Sequence, residues 1–104
     1  YMIRHIVLLK FRENLTQDAV DAMFADLHSI ESKVPGVVSI TSGFSESPEN
    51  MERGFMHGFV ADFMDWDTLQ AYQNHPDHKA LGAKMVAACV GGIDGILVFD
   101  LPVL

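Results

Sequence analysis

Tyr72-Gln73-Asn74-His75-Pro76-Asp77-His78 places a phenol and two imidazoles within seven residues, and its proline interrupts a pattern that reads as helix on both sides. Proline lacks the N–H for an intrahelical hydrogen bond and pushes the residue before it towards extended angles. The chain therefore breaks at His75 and restarts near Pro76 or Asp77. Such a break lets side chains of two helices converge. With Tyr72 at the end of one helix and His78 in the first turn of the next, an O–H donor and a group titrating near neutrality face one cavity. Two readings stand side by side. Tyr72 and His78 form a catalytic acid/base pair, or they satisfy each other and nearby carbonyls at the break.

Outward from this stretch the pattern is regular. Phe55 to Met64 alternates, with Phe55, His57, Phe59, Ala61 and Phe63 on one side, and predicts a central strand. Asp65 or Asp67 caps the helix that carries Leu69 and Tyr72. Beyond the break, a helix from about Asp77 to Val90 sets His78, Leu81 and Met85 on one face, so His78 points inward. Gly91-Gly92 stops it, and Ile93 to Leu101 forms a last strand before Pro102. Towards the N-terminus, Ile3 to Phe11 is a strand with both faces largely apolar. Thr16 caps a helix with Val20, Met23, Phe24, Leu27, Ile30 and Val34 at helical spacing, Pro35-Gly36 ends it, and Val37 to Phe44 is a strand before a polar loop.

The order strand, helix, strand, strand, helix pair, strand is that of a ferredoxin-like α+β fold: a four-stranded antiparallel sheet with its helices on one face. The first and third strands are then neighbours, which puts His5 and His57 side by side. If both face the helices, they share a cavity with Tyr72 and His78, walled by Phe24, Leu27, Phe59 and Leu81 as substrate-binding residues. Each strand histidine also reads as a hydrogen-bonded core residue. Two helices cover only one side of the sheet, yet Ile6, Leu8, Met56, Val60, Ile96 and Val98 leave the other side apolar. A patch of that kind marks an interface, so the expected assembly is a homodimer closed sheet to sheet.

Composition bounds the function. The 104 residues, 49% of them hydrophobic, suit one domain spanning 1–104. A net charge of −7 with seven scattered basic residues offers no stripe for a phosphate backbone, so nucleic acid is not an expected partner. No apolar run approaches the roughly 20 residues of a membrane span, and the start lacks the order of a signal peptide. With a single cysteine, Cys89, no internal disulfide forms, and a cytoplasmic protein is expected. Tyr1, ahead of Met2, is set aside from the fold argument. No two histidines share a helical face four apart, so no metal site is expected, and Gly91-Gly92 reads as a helix stop rather than a phosphate loop, so no cofactor is expected either. His75 reads as a cap and His28 as solvated.

Four blocks carry a family resemblance: Ile3-Arg4-His5-Ile6-Val7-Leu8-Leu9-Lys10-Phe11, Val34-Pro35-Gly36-Val37, Gly54-Phe55-Met56-His57 and the Tyr72 to His78 stretch. With the spacing between them, the chain resembles the stress-responsive A/B barrel domain family, small dimeric α+β barrel proteins, along nearly its whole length. The resemblance implies the fold and the dimer independently of the pattern. One member type is a cyclase that closes a linear poly-β-keto thioester into an aromatic acid; its catalytic tyrosine and histidine fall on Tyr72 and His78, and its two strand histidines on His5 and His57. The implied activity is cofactor-independent cyclase or lyase chemistry on a β-keto compound, with a small hydrophobic or phenolic ligand. The alternatives are a non-enzymatic binding or assembly protein and a cofactor-free monooxygenase of phenols.

Overall fold

The structure is a computed structural model covering residues 1–104. Its elements run β1 (Met2–Leu9), α1 (Gln17–Ile30), β2 (Val37–Phe44), β3 (His57–Phe63), α2 (Trp66–Asn74), α3 (Pro76–Ala88), a 3₁₀ turn (Gly92–Gly95) and β4 (Ile96–Val103). The four strands form one antiparallel sheet in the order β2-β3-β1-β4. This is the ferredoxin-like α+β fold, and no helix in it is long and apolar enough to cross a membrane.

Local chemistry accounts for the element ends. Thr16 accepts the Ala19 N–H at 3.2 Å and Asp65 accepts the Thr68 N–H at 2.8 Å, so each of α1 and α2 starts on a side-chain cap. His75 is extended (φ −65°, ψ 134°) and its Nδ1 accepts the Asp77 N–H at 3.1 Å. It ends α2 and caps α3, with Pro76 at the first helical position, where its missing N–H is of no consequence. α1 stops at Ile30, short of Val34, which is buried in the following turn.

The helix-facing side of the sheet holds the core. Ile3, Val7 and Leu9 of β1 and Phe59, Ala61 and Phe63 of β3 pack beneath Val20, Met23, Leu27 and Ile30 of α1, Leu69 and Tyr72 of α2, and Leu81 and Met85 of α3. Two expectations about the last strand need correction. It starts at Ile96 rather than Ile93, because Ile93 belongs to the 3₁₀ turn, and it runs through Pro102, which an edge strand tolerates. Its faces are also reversed. Directly paired residues share a face, and β4 pairs Ile96 with Leu9, Val98 with Val7 and Asp100 with His5, so Ile96 and Val98 lie on the helix side. Leu97, Phe99 and Leu101 join Ile6, Leu8 and Val60 on the outer face, and at 50%, 61% and 42% exposure they form its most accessible apolar surface. The charge on that face is an internal pair, Arg4 to Asp62, at 3.0 and 3.2 Å.

Candidate active site at the α2–α3 elbow

Tyr72 lies in the last turn of α2 and His78 in the first turn of α3, and the extended residue between the helices turns both inward. Their ring centroids are 4.3 Å apart. Tyr72 is 0% exposed, packed also against Phe63 at 5.0 Å and His5 at 6.0 Å. Its hydroxyl has no hydrogen-bond partner within the chain. A buried polar group left so costs about 1–3 kcal/mol, which makes it a natural place to look for a ligand contact.

His78 is half-buried, and its Nδ1 lies 3.2 Å from the Gln73 carbonyl. A carbonyl only accepts, so the proton sits on Nδ1 and the Nε2 lone pair is left free. Burial pushes the His78 imidazole below its ordinary range; the Gln73 carbonyl opposes this, and the fields of His5 and His75 add to it. Burial also pushes the Tyr72 phenol well above its usual value. At neutral pH the pair is therefore a neutral imidazole with a free lone pair beside a phenol that keeps its proton.

His5, on β1, is buried and donates Nδ1–H to Asp100 Oδ1 on β4 at 2.5 Å, in the rung that pairs the two residues. Its ring also lies 6.3 Å from Phe59. Asp100 was not foreseen as a site residue. Its contact spans 95 positions in the chain, and only the β1–β4 register reveals it.

Of the four expected residues, His5, Tyr72 and His78 come together and His57 does not touch them. His57 faces the helices as anticipated, but it pairs with Leu9 while His5 pairs with Ala61, four residues further along β3. It packs instead against Phe11 and Phe44, each at 5.1 Å, and Phe24 at 6.3 Å, with burial lowering its imidazole below the ordinary value. Phe59 stands between the two aromatic groups on β3. Of the other anticipated wall residues, Phe24 sits with His57, while Leu27 and Leu81 are fully enclosed in the core. His28 places Nε2 2.8 Å from the Ser42 hydroxyl at the surface.

The helices do not cover the β4 edge of the sheet. Val98 lies on the helix side of the sheet and is still 57% exposed, so the helices leave that edge open beside Asp100. The opposite flank is tied by Lys33 Nζ to Asp77 at 2.6 Å. Three surface concavities, of about 650, 550 and 400 Å³, are lined by neither Tyr72 nor His78.

Comparison with known proteins identifies the family of the chain. Over 101 residues, the chain is 32% identical to a stress-response A/B barrel domain-containing protein, At5g22580, of Arabidopsis thaliana, covering 96% of this chain and 85% of that one. It is 25% identical over 80 residues to olivetolic acid cyclase of Cannabis sativa, covering 77% and 79% of the two chains. A dimeric ferredoxin-like protein of unknown function from Jannaschia sp. CCS1 superposes with a TM-score of 0.92 at 33% identity, covering 99% of this chain and all of that one. Residues 3–103 match the family described as the stress responsive A/B barrel domain, and the chain belongs to that family.

Proposed function

We propose that this protein is a cytoplasmic homodimer that catalyses cofactor-independent proton transfer on a small hydrophobic or phenolic β-keto compound, in a cyclase or lyase type of reaction. His78 Nε2 takes the proton from a carbon flanked by carbonyls, and the Tyr72 hydroxyl donates to the enolate oxygen that develops. His5, held by Asp100, backs the pair from the sheet. Leu27, Phe59 and Leu81 supply the apolar wall, with Phe24 and His57 beyond Phe59. The observation that carries this reading is the Tyr72 hydroxyl, wholly buried and without an acceptor, against a histidine whose Nε2 is free. The similarity to olivetolic acid cyclase supports the reaction class.

The outer sheet face supports the dimer. Leu97, Phe99, Leu101, Leu8 and Ile6 are contiguous there, and the similar Jannaschia protein is described as dimeric. A second reading, a binding or assembly protein without catalysis, is favoured by the tight enclosure of Tyr72, Leu27 and Leu81. Deuterium exchange at the central carbon of a β-keto thioester in D2O, followed by NMR, separates the two. Wild type accelerates exchange on the first reading, and Tyr72→Phe and His78→Ala abolish the acceleration while keeping the fold. Exchange at the buffer rate with wild type sinks the enzymatic reading.

A further inference from the structure

The concavity of about 400 Å³ opens between α1 and the end of β2, on the helix side of the sheet. Phe24, Phe44 and His57 wall it, Asp21 stands in its lining, and no lysine or arginine lines it. We propose that it binds a small organic monocation, an alkylamine or a quaternary ammonium group.

Two phenylalanines of the lining, Phe44 and Phe24, both pack against the His57 ring. Phe44 meets the His57 ring edge to face at 5.1 Å, and Phe24 lies 6.3 Å from the same ring. Phe44 is 59% exposed, a large apolar ring left facing water at the rim. An aromatic face attracts a cation through its quadrupole, and this attraction strengthens as the cation sheds water. Asp21 supplies the formal countercharge; one of its carboxylate oxygens accepts from Gln17 Nε2 at 2.8 Å, which orients the carboxylate and leaves its second oxygen unengaged. His28, also in the lining, is turned to the Ser42 hydroxyl at 2.8 Å. Burial favours the neutral form of His57, so the wall itself does not repel a cation. The chain's charge of −7 raises the local concentration of cations around it.

Phe59 stands between this site and the Tyr72–His78 elbow, and Ser42, Gly43, Phe44 and His57, at the end of the sheet, also border the concavity of about 650 Å³ on the outer face. No lysine or arginine stands here to hold an anion, and a neutral apolar guest gains nothing from Asp21.

Choline and its neutral carbon isostere, 3,3-dimethylbutan-1-ol, have the same shape and differ in charge. Titrating each into ¹⁵N-labelled protein tests the proposal. Choline is expected to give saturable amide shifts centred on Ser42, Gly43, Phe44 and His57, with roughly tenfold higher affinity than the isostere, from a cation–π term and one exposed ion pair. Asp21→Asn and Phe44→Leu, both at exposed positions, should each weaken choline by about two- to fivefold, and Tyr72→Phe should leave it unchanged. Equal affinity for the two probes overturns the proposal, as does the absence of saturable shifts at these amides.

Discussion

The Tyr72 ring lies 4.3 Å from that of His78, yet the Tyr72 hydroxyl reaches no acceptor on His78 or anywhere else in the chain. A purely architectural tyrosine is expected to spend its hydroxyl on a hydrogen bond, so replacing it should separate structure from chemistry. Tyr72→Phe removes a buried, unpaired polar group of nearly the same shape, and it should leave stability unchanged or raise it by up to about 1–2 kcal/mol. Turnover should fall by about a hundredfold or more, because the donor to the developing enolate is lost. Urea denaturation and the deuterium-exchange assay read the two effects separately. A marked loss of stability would identify the hydroxyl as structural.

The pH dependence follows from the directions of the two shifts. His78 acts as a base only when neutral, and burial lowers its affinity for a proton, so kcat/KM should rise along an acid limb whose midpoint lies below the ordinary 6.5. Burial raises the phenol above its ordinary 10.0, so the Tyr72 donor survives and no alkaline limb from it should appear before pH 10. Stability obeys the same linkage. A histidine that binds protons less well when folded leaves the unfolded chain as the better proton acceptor, so stability is full above about pH 6.5 and declines as pH falls below it. His57 contributes in the same sense. His78→Gln should therefore flatten part of the acid decline in Tm, and an unaltered decline would remove His78 from this account.

Asp100 holds the Nδ1–H of His5 at 2.5 Å and so directs His5 Nε2 away from the β4 edge. It is a positioning residue in this scheme. Asp100→Asn keeps the shape and can accept through its amide oxygen or, flipped, present a donor that disfavours this tautomer. A drop in kcat of about tenfold with KM little changed is expected, together with a changed His5 tautomer in ¹⁵N imidazole spectra. An altered KM with an unchanged tautomer would assign Asp100 to binding instead.

Much of this was legible before the structure. The elbow at His75-Pro76, the cap at Thr16, a cap at Asp65 or Asp67 that the structure gives to Asp65, and the inward aim of His78 follow from interactions within four residues, which local sequence encodes. The strand order came from the sequence of elements. What escaped was register. Ile96-Leu97-Val98-Phe99 is apolar without alternation, so nothing in it declares which side faces the helices, and a one-residue slip exchanges the two faces. The same gap hid Asp100 beside His5 and merged His57 with the elbow, although four residues of β3 separate their rungs. Position along a strand is decided by pairing across the sheet, and a pattern within one strand does not carry it.

The corrected face changes where the dimer should break. Phe99 and Leu97 lie on the outer face, while Val98 lies on the helix side with comparable exposure. Phe99→Asp puts a charge into an apolar interface and should convert the dimer to monomer in sedimentation velocity, whereas Val98→Asp should leave it dimeric. Dissociation by Val98→Asp, with Phe99→Asp unaffected, would place the interface on the other side.

Two glycines offer opposite outcomes for the same substitution. Gly36 ends the turn after α1 at φ +95°, and a Cβ there would lie 2.5 Å from Thr68 Oγ1. That hydroxyl donates to Asp65 at 2.7 Å, the carboxylate that caps α2. Gly36→Ala therefore strains the backbone and pushes on the start of the helix that delivers Tyr72. It should cost about 2 kcal/mol or more. Gly82 lies inside α3, where a Cβ meets nothing within 4 Å. Gly82→Ala removes backbone freedom from the unfolded chain without a clash, and it should add about 0.5–1 kcal/mol. Thermal unfolding of both variants checks the pair. Because α2 holds one partner of the elbow and α3 the other, Gly36→Ala should also weaken turnover through the displaced Tyr72, whereas Gly82→Ala raises Tm with turnover intact. A Gly36→Ala protein as stable as wild type would mean that Thr68 yields freely and that the cap at Asp65 does not fix the position of Tyr72.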